Sequence, residues 1–349
     1  MKELNNLKIA YWPYNQSKNE PGDRRRFLFY TNKKKISFEF YNPSSSYNIV
    51  LLSEVADIGI IKNLKKNNTK VIYECVDSYY LDNYEWKDTF RGLAKYLTRD
   101  NKKLFFNYRN ALKKILSDVD GVTCASKEQA SQLSEFNDNV HWMPDMPNDE
   151  IINVKSSYSK NGIIKLVWEG LPSNVYQLNN LKTVFKRFSE SYSFDLHVIT
   201  DQNYYKHMNR FGRVLTKDII KDVCENIIFH EWDIQTYSKL ITECDIAIIP
   251  IDRNNIIALG KPENKLIIFW KMGIPTITTA TKSYDRVMQE AGIELTCKNN
   301  DDWLKHLSTL SSNEGLRKSI GIKGKRYAEE NYSEKIVLDK WDKMFESII

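Results

Sequence analysis

The sequence predicts an α/β protein built as two doubly wound, Rossmann-like domains facing across a cleft, and three observations predict it. Its 349 residues, 42% of them apolar, amount to about two domains at roughly 150 residues each. Short apolar runs alternate with helical patterns along most of the chain, the signature of parallel strands covered by helices. The alternation breaks once, between Pro144 and Gly162, in a polar stretch with two of the nine prolines and no sustained period.

The first series begins with a strand over 7–12, an apolar run that soon meets Pro13. Strands over 47–53, 70–75, 121–125 and 140–143 follow, with helices over 54–67, 86–97, 102–117 and 127–135. In the third of these helices Leu104, Tyr108, Leu112 and Ile115 recur at three- and four-residue steps and make one apolar stripe. The second series reads as strands over 164–169, 194–200, 226–231, 245–251, 275–279 and 293–297. Helices over 179–191, 216–224, 235–243, 265–272 and 283–291 lie between them, and helices over 301–311, 314–331 and 333–348 close the chain. The expected domains are 1–145 and 163–332, with a linker over 146–162 and a final helix, 333–349, packing back on the first domain. Ligands of such sheets sit beyond the carboxyl ends of the strands.

Charge and cysteine content exclude several functions. Lys and Arg number 51 against 45 Asp and Glu, a net charge of +6, far below the basic excess of a dedicated nucleic-acid binder. Residues 1–160 carry 25 basic and 20 acidic side chains (+5), and 161–349 carry 26 and 25 (+1), so an electrostatic partner is expected at the N-terminal half. Five widely spaced cysteines with no C-x-x-C pair fit a reducing compartment. The five histidines form no metal pattern, and no metal or cofactor is expected. No run of about 18 apolar residues exists and the first residues lack a signal-peptide core, so a cytoplasmic protein is expected.

Four places carry candidate chemistry. The segment from Ile251 to Lys265 is too long for a routine strand-to-helix turn and ends at an expected helix. Asn264 is a natural N-cap there, and Lys261 and Lys265 add positive charge where free backbone N–H groups already attract phosphate. A diphosphate suits that arrangement; a solvated loop with two surface lysines is the competing reading. The turn Gly170-Leu171-Pro172-Ser173-Asn174 follows a strand and offers close backbone approach, or is an ordinary strand-helix connection. G-x-G-x-x-G is absent, which disfavours a nicotinamide dinucleotide. His230, Glu231 and Trp232 end another strand, where a base stacks and an acid holds a ribose, unless Trp232 packs under the next helix. Asp77, just past the strand over 70–75, is placed to act on an acceptor hydroxyl or to cap a turn. Arg24, Arg25 and Arg26, with Lys33 to Lys35 and interleaved aromatics, make a basic patch suited to an acceptor phosphate or an anionic membrane, or else a solvated face.

From about Lys165 onward the chain resembles the nucleotide-sugar-binding half of the group-1 (family 4-like) glycosyltransferases with the GT-B fold. The resemblance is carried by Trp168-Glu169-Gly170-Leu171-Pro172-Ser173, Asp245-Ile246-Ala247-Ile248-Ile249-Pro250-Ile251, Gly260-Lys261-Pro262-Glu263-Asn264-Lys265 and Met272-Gly273-Ile274-Pro275. The first half resembles the family through Asp120-Gly121-Val122-Thr123 and Met143-Pro144. The resemblance implies a UDP- or GDP-linked sugar donor held by the second domain, and a surface-glycan or lipid-linked glycan acceptor presented by the first. It further implies transfer with retention and without a metal, Gly170, Lys261 and Lys265 holding the leaving diphosphate and Asp77 orienting the acceptor. In many relatives a glutamate stands five residues before the glycine of the G-x-P turn and another eight residues earlier. Here those donor-site positions are Ile268 and Gly260, so either Glu263 or a neighbour takes over, or the donor is held differently, or the protein is weakly active or inactive. Two alternatives follow: an inactive nucleotide-sugar-fold subunit of a polysaccharide assembly, and a nucleotide-sugar epimerase.

Overall fold

The computed structural model describes residues 4–18, 20–78, 80, 96, 104–160, 162–207 and 211–349. The helix expected over 86–97, Tyr96 apart, and the first two residues of that over 102–117 lie outside them. The chain divides into two compact units. Unit 1 comprises Met1–Met146, Gly260–Pro262 and Glu334–Ile349; unit 2 comprises Pro147–Leu259 and Glu263–Ser333.

Unit 1 holds β1 (Ile9–Trp12), β2 (Glu39–Phe40), β3 (Ile49–Leu52), β4 (Lys70–Cys75), β5 (Gly121–Cys124) and β6 (Val140–Trp142). They form one parallel sheet in the order β2-β1-β3-β4-β5-β6. Because β1 pairs with β2 on one side and β3 on the other, the winding reverses between β1 and β3, and their carboxyl ends flank the crevice where such sheets take ligands. Apolar side chains alternate to two cores. One gathers Val50, Leu52, Val71 and Tyr73 under Leu112 and Leu116. The other gathers Ile9, Tyr11, Leu51 and Ile72 with Phe27 and Tyr30. The last helix, Glu334–Glu346, closes this second core: the rings of Trp341 and Phe345 stack on Tyr30 with centroids 5.5 and 5.6 Å away.

A helical segment stands where the sequence showed only a basic and aromatic patch. Asp23–Phe27 forms a π-type turn kinked at Arg26 (φ −124°, ψ −107°), and Leu28–Lys34 continues it as an α-helix. Phe27, Tyr30 and Thr31 at three- and four-residue steps give it a buried face, which the surrounding charges conceal in the sequence.

Unit 2 holds a second parallel sheet, of β7 (Ile164–Glu169), β8 (Phe194–Ile199), β11 (Ile227–His230), β12 (Ile246–Ile249), β13 (Thr276–Thr279) and β14 (Thr296–Cys297), in the order β11-β8-β7-β12-β13-β14. The antiparallel pair β9 (Asn203–His207) and β10 (Phe211–Leu215) forms a separate ribbon that the sequence reading did not anticipate. The winding reverses between β7 and β12, so the carboxyl ends of those two strands define the crevice of this unit. The helix Asn264–Lys271 lies against Glu314–Asn331, and the close approach requires glycine: a Cβ on Gly324 would stand 2.8 Å from the Trp270 ring. The polar stretch after Pro147 is not a free tether. The Lys155 N–H donates to the Met272 carbonyl (2.8 Å), and the buried Tyr158 gives its hydroxyl to Gly273 O (2.7 Å) and takes the Arg317 guanidinium on its carbonyl (2.8 Å).

Candidate active site

Gly170 and Lys265, 95 positions apart in sequence, meet at the crevice of unit 2. β7 ends at Glu169, and the Lys265 ammonium lies 2.8 Å from the Glu169 carboxylate and 2.5 Å from its carbonyl oxygen. A Cβ on Gly170 would stand 3.3 Å from that ammonium and 3.0 Å from the Trp168 ring, so the backbone is bare where the cation reaches it. The Lys265 side chain retains 29% exposure against 10% for Glu169, so the lysine is the less enclosed member of the pair. Burial and the Glu169 charge raise the carboxyl of Asp201, which follows β8 at the same edge of the sheet. Leu171 is exposed, and Pro172 opens a 3-10 helix, Pro172–Leu181, where a helix over 179–191 was expected to begin later. Ser173 is exposed on its first turn, and the half-buried Asn174 accepts from the Gln177 amide at 3.4 Å.

The segment after β12 departs from the expected open loop. Asn255 accepts the N–H groups of Ile257 (3.0 Å) and Ala258 (3.2 Å) and starts a short helix, Ile256–Leu259. Asn264 is the first helical residue rather than the cap: Glu263 occupies the cap position and its side chain makes no capping bond. Lys261 is half-buried and groups with unit 1, while Lys265 belongs to unit 2.

Two expected donor contacts are internal instead. Ile268 is 4% exposed, packed in the core with its helix, and presents nothing polar to a ribose. Glu263 is fully buried, its Oε1 accepting from Arg286 (2.8 Å) and from the Tyr332 hydroxyl (2.7 Å). Burial raises its carboxyl above the usual range against the pull of Arg286. It anchors the start of the helix Asn264–Lys271 and is not free to grip a donor. Removing one member of a buried ion pair costs about 3 kcal/mol, so Glu263→Ala is expected to lower the melting temperature by roughly 6–12 °C in calorimetry. An unchanged melting temperature would contradict the anchoring role.

The carboxyl end of β11 is engaged by protein neighbours. His230 lies parallel to His197, with Nε2 and Nδ1 3.0 Å apart, and burial lowers both imidazoles below the usual range. Glu231 accepts the Gln202 N–H (3.1 Å), and Trp232 leans on Tyr237 with ring centroids 5.5 Å apart, packing at the helix Tyr237–Thr242. A groove of about 400 Å³ lined by Lys182, Lys186, Asp222 and Asn226 lies at the amino ends of β8 and β11, opposite the edge where this sheet takes ligands.

In unit 1, Asp77 is half-buried beyond β4, where expected. Its backbone N–H and that of Val76 both donate to one oxygen of Glu54 (2.8 and 3.0 Å), a residue the sequence reading passed over. Glu54 follows β3 at the crevice; burial first, and then the Asp77 charge, push its carboxyl up to about 8. Nearby, Ser78 Oγ and the Gln129 amide donate to the Gly260 carbonyl (3.2 and 3.3 Å).

The three arginines do not share one exposed face. Arg26 is fully buried, its guanidinium bound to Glu74 (2.8 Å), Asp145 (3.3 Å) and the Met143 carbonyl (2.5 Å). Arg25 is 8% exposed, and only Arg24 of the three is half-exposed. Lys33 and Lys34 pair with Glu334 (3.2 Å) and Asp342 (2.7 Å) of the last helix. The three arginines therefore do not form one surface for a phosphate or a membrane, because the helix that carries them turns one face into the core. Among the described residues no helix is long and apolar enough to cross a membrane, and no group of three or more His, Cys, Asp or Glu is placed to hold a metal ion.

No protein-family model matches the chain, and no curated protein is detectably similar to it in sequence. Solved structures are similar to it in fold. TarM aligns with a TM-score of 0.62 at 13% identity over 85% of this chain and 54% of its own, so this chain spans about half its length. A TarM variant from S. aureus, solved with UDP, α-GlcNAc-glycerol and fondaparinux, aligns at 0.57 and 13% identity over 85% of this chain and 55% of its own. A glycosyltransferase from Rickettsia africae aligns over 97% of both chains with a TM-score of 0.58 and 14% identity. A putative UDP-N-acetylglucosamine 2-epimerase from Listeria monocytogenes covers 97% of this chain and 96% of its own at 0.52 and 11%. At these identities the likeness is one of fold: two doubly wound α/β units with parallel six-stranded sheets, the GT-B arrangement of these glycosyltransferases.

Proposed function

We propose that the protein is a glycosyltransferase that moves a sugar from a nucleoside diphosphate to the hydroxyl of a surface-glycan acceptor. The observation that carries this reading is the meeting of bare backbone at Gly170 with the Lys265 ammonium at the crevice of unit 2. A lysine anchored by a carboxylate, its side chain partly exposed, suits the developing charge of a diphosphate leaving group, which it stabilises without reorganising. The UDP in the similar TarM structure supports a uridine donor, and its GlcNAc-glycerol supports an acceptor of the same chemistry. Unit 2 then binds the donor and unit 1 the acceptor, with retention of anomeric configuration and no metal.

The epimerase reading draws on the full-length likeness to the Listeria protein. It differs in needing no acceptor. Calorimetric titration with UDP, GDP, UDP-glucose, UDP-GlcNAc and GDP-mannose, followed by product analysis, separates the readings. Transfer to an added glycan or slow hydrolysis of a bound donor supports the transferase; conversion to an epimeric nucleotide sugar without acceptor supports the epimerase. Tight binding with neither outcome, which the Ile268 and Gly260 substitutions of the usual acids would favour, points to a non-catalytic subunit.

A further inference from the structure

Resting on the transferase reading, we propose that Glu169 is a positioning residue with two effects on one site. It fixes the Lys265 ammonium at the crevice of unit 2, and its charge holds down the affinity of that site for the diphosphate that must leave. Both partners belong to unit 2, and the fold of that unit holds each of them. β7 is central in its sheet, pairing with β8 and β12, and Glu169, its last residue, lies opposite Ile199 of β8. The Ile199 carbonyl takes the Gly170 N–H (3.3 Å), which keeps the strand in register up to the glycine. Lys265 is the second residue of the helix Asn264–Lys271, whose start the buried Glu263 ties to Arg286 and Tyr332. The separation of carboxylate and ammonium is therefore set by a strand end and a helix start.

An ammonium carries three hydrogens and no acceptor. Two serve Glu169, one on its carbonyl oxygen (2.5 Å) and one on Oε2 (2.8 Å). Among the described residues Lys265 makes no further side-chain hydrogen bond, so one hydrogen remains for a ligand. The carboxylate also offsets the lysine charge before any ligand arrives. A diphosphate at this edge is drawn by the ammonium and the bare Gly170 backbone, and repelled by Glu169. The Glu169 charge is felt beyond its partner: after burial, it is what raises the carboxyl of Asp201 at the end of β8. A charge that disfavours ionisation of a neighbouring carboxyl acts in the same sense on phosphate oxygens beside the same lysine. The diphosphate is thereby bound loosely, while the ammonium stays in place for the oxygen on which charge develops, a division that favours turnover over binding.

The test uses the full chain, with UDP and GDP as probes in calorimetric titration and turnover of UDP-GlcNAc, UDP-glucose and GDP-mannose as the second readout. Glu169→Gln keeps an oxygen for the ammonium and removes the charge. The nucleotide is expected to bind about 3- to 10-fold more tightly, and kcat and KM to fall together. Glu225→Gln removes the same charge at the amino-terminal edge of the sheet, where Glu225 is exposed, and is expected to leave affinity within twofold of wild type. In Lys265→Ala the carboxylate stands without its countercharge, so affinity is expected to drop about tenfold or more and to recover in part when Glu169→Gln is added. Glu169→Asp keeps the charge but withdraws it by one methylene; it is expected to bind nucleotide as wild type does and to lose about tenfold or more in kcat. A residue that serves only the fold would instead lower melting temperature and nucleotide affinity together. That result, affinity in Glu169→Gln no higher than in wild type, or losses that add in the double variant, overturns the proposal, and nucleotide binding by the wild type then still supports the transferase reading. A wild-type protein that binds neither nucleotide nor sugar nucleotide overturns that reading and the role of Glu169 with it.

Discussion

Arg26→Ala is expected to destabilise unit 1 by about 3–5 kcal/mol, a loss of roughly 10 °C or more in melting temperature. The guanidinium is fully enclosed, and deleting it leaves Glu74 ionised or forces it to protonate with no countercharge at 2.8 Å. Burial alone would drive the arginine towards neutrality, but Glu74 and Asp145 hold it charged well above its usual range. Glu74 stays raised because burial outweighs the pull of Arg26. The same side chain fastens the exit of β6 through the Met143 carbonyl and Asp145. Arg24→Ala is the control, since that residue is half-exposed, and is expected to fall within about 0.5 kcal/mol of wild type. Equal melting temperatures for the two variants would contradict the internal role of Arg26.

Lys265→Ala is expected to reduce turnover about 10²-fold or more, the usual effect of removing one preorganised group from a developing oxyanion. Fold stability should change little, because the ion pair with Glu169 is partly exposed and such pairs contribute about 0–1 kcal/mol. Lys265→Arg distinguishes charge from geometry. A guanidinium keeps the charge but spreads it over a planar fork, where the ammonium concentrates it at one point against the Glu169 carboxylate and carbonyl, so only partial rescue is expected. Turnover within twofold of wild type in Lys265→Ala would remove the lysine from the leaving-group site.

Most of the two sheets is legible from the sequence, and the reason is local. β4 and β7 each carry a three-residue apolar run buried on both faces, Val71–Tyr73 and Leu166–Trp168, and their bounds, Lys70–Cys75 and Ile164–Glu169, match the expected 70–75 and 164–169. Gly170 and the lysine at 265 stand out because glycine after a strand and cations at a helix start each have a physical use. What stays hidden depends on distant partners. Nothing near Glu263 announces Arg286 or Tyr332, 23 and 69 positions on, which turn an acid at the cap position into a core residue. Three consecutive arginines look like a surface, and the kink at Arg26 that sends one inward has no local signature. Glu54 was within reach: it stands just past the carboxyl end of a parallel strand, where ligands gather, but a lone glutamate at a strand-to-helix turn carries no motif.

A crystal structure of the protein with UDP or UDP-GlcNAc measures directly where a sugar nucleotide binds. Diphosphate density is expected against the Gly170 backbone and the Lys265 ammonium, at the carboxyl ends of β7 and β12. Density at the groove beside Lys182 and Asp222, or anywhere on the amino-terminal edge of that sheet, would contradict it.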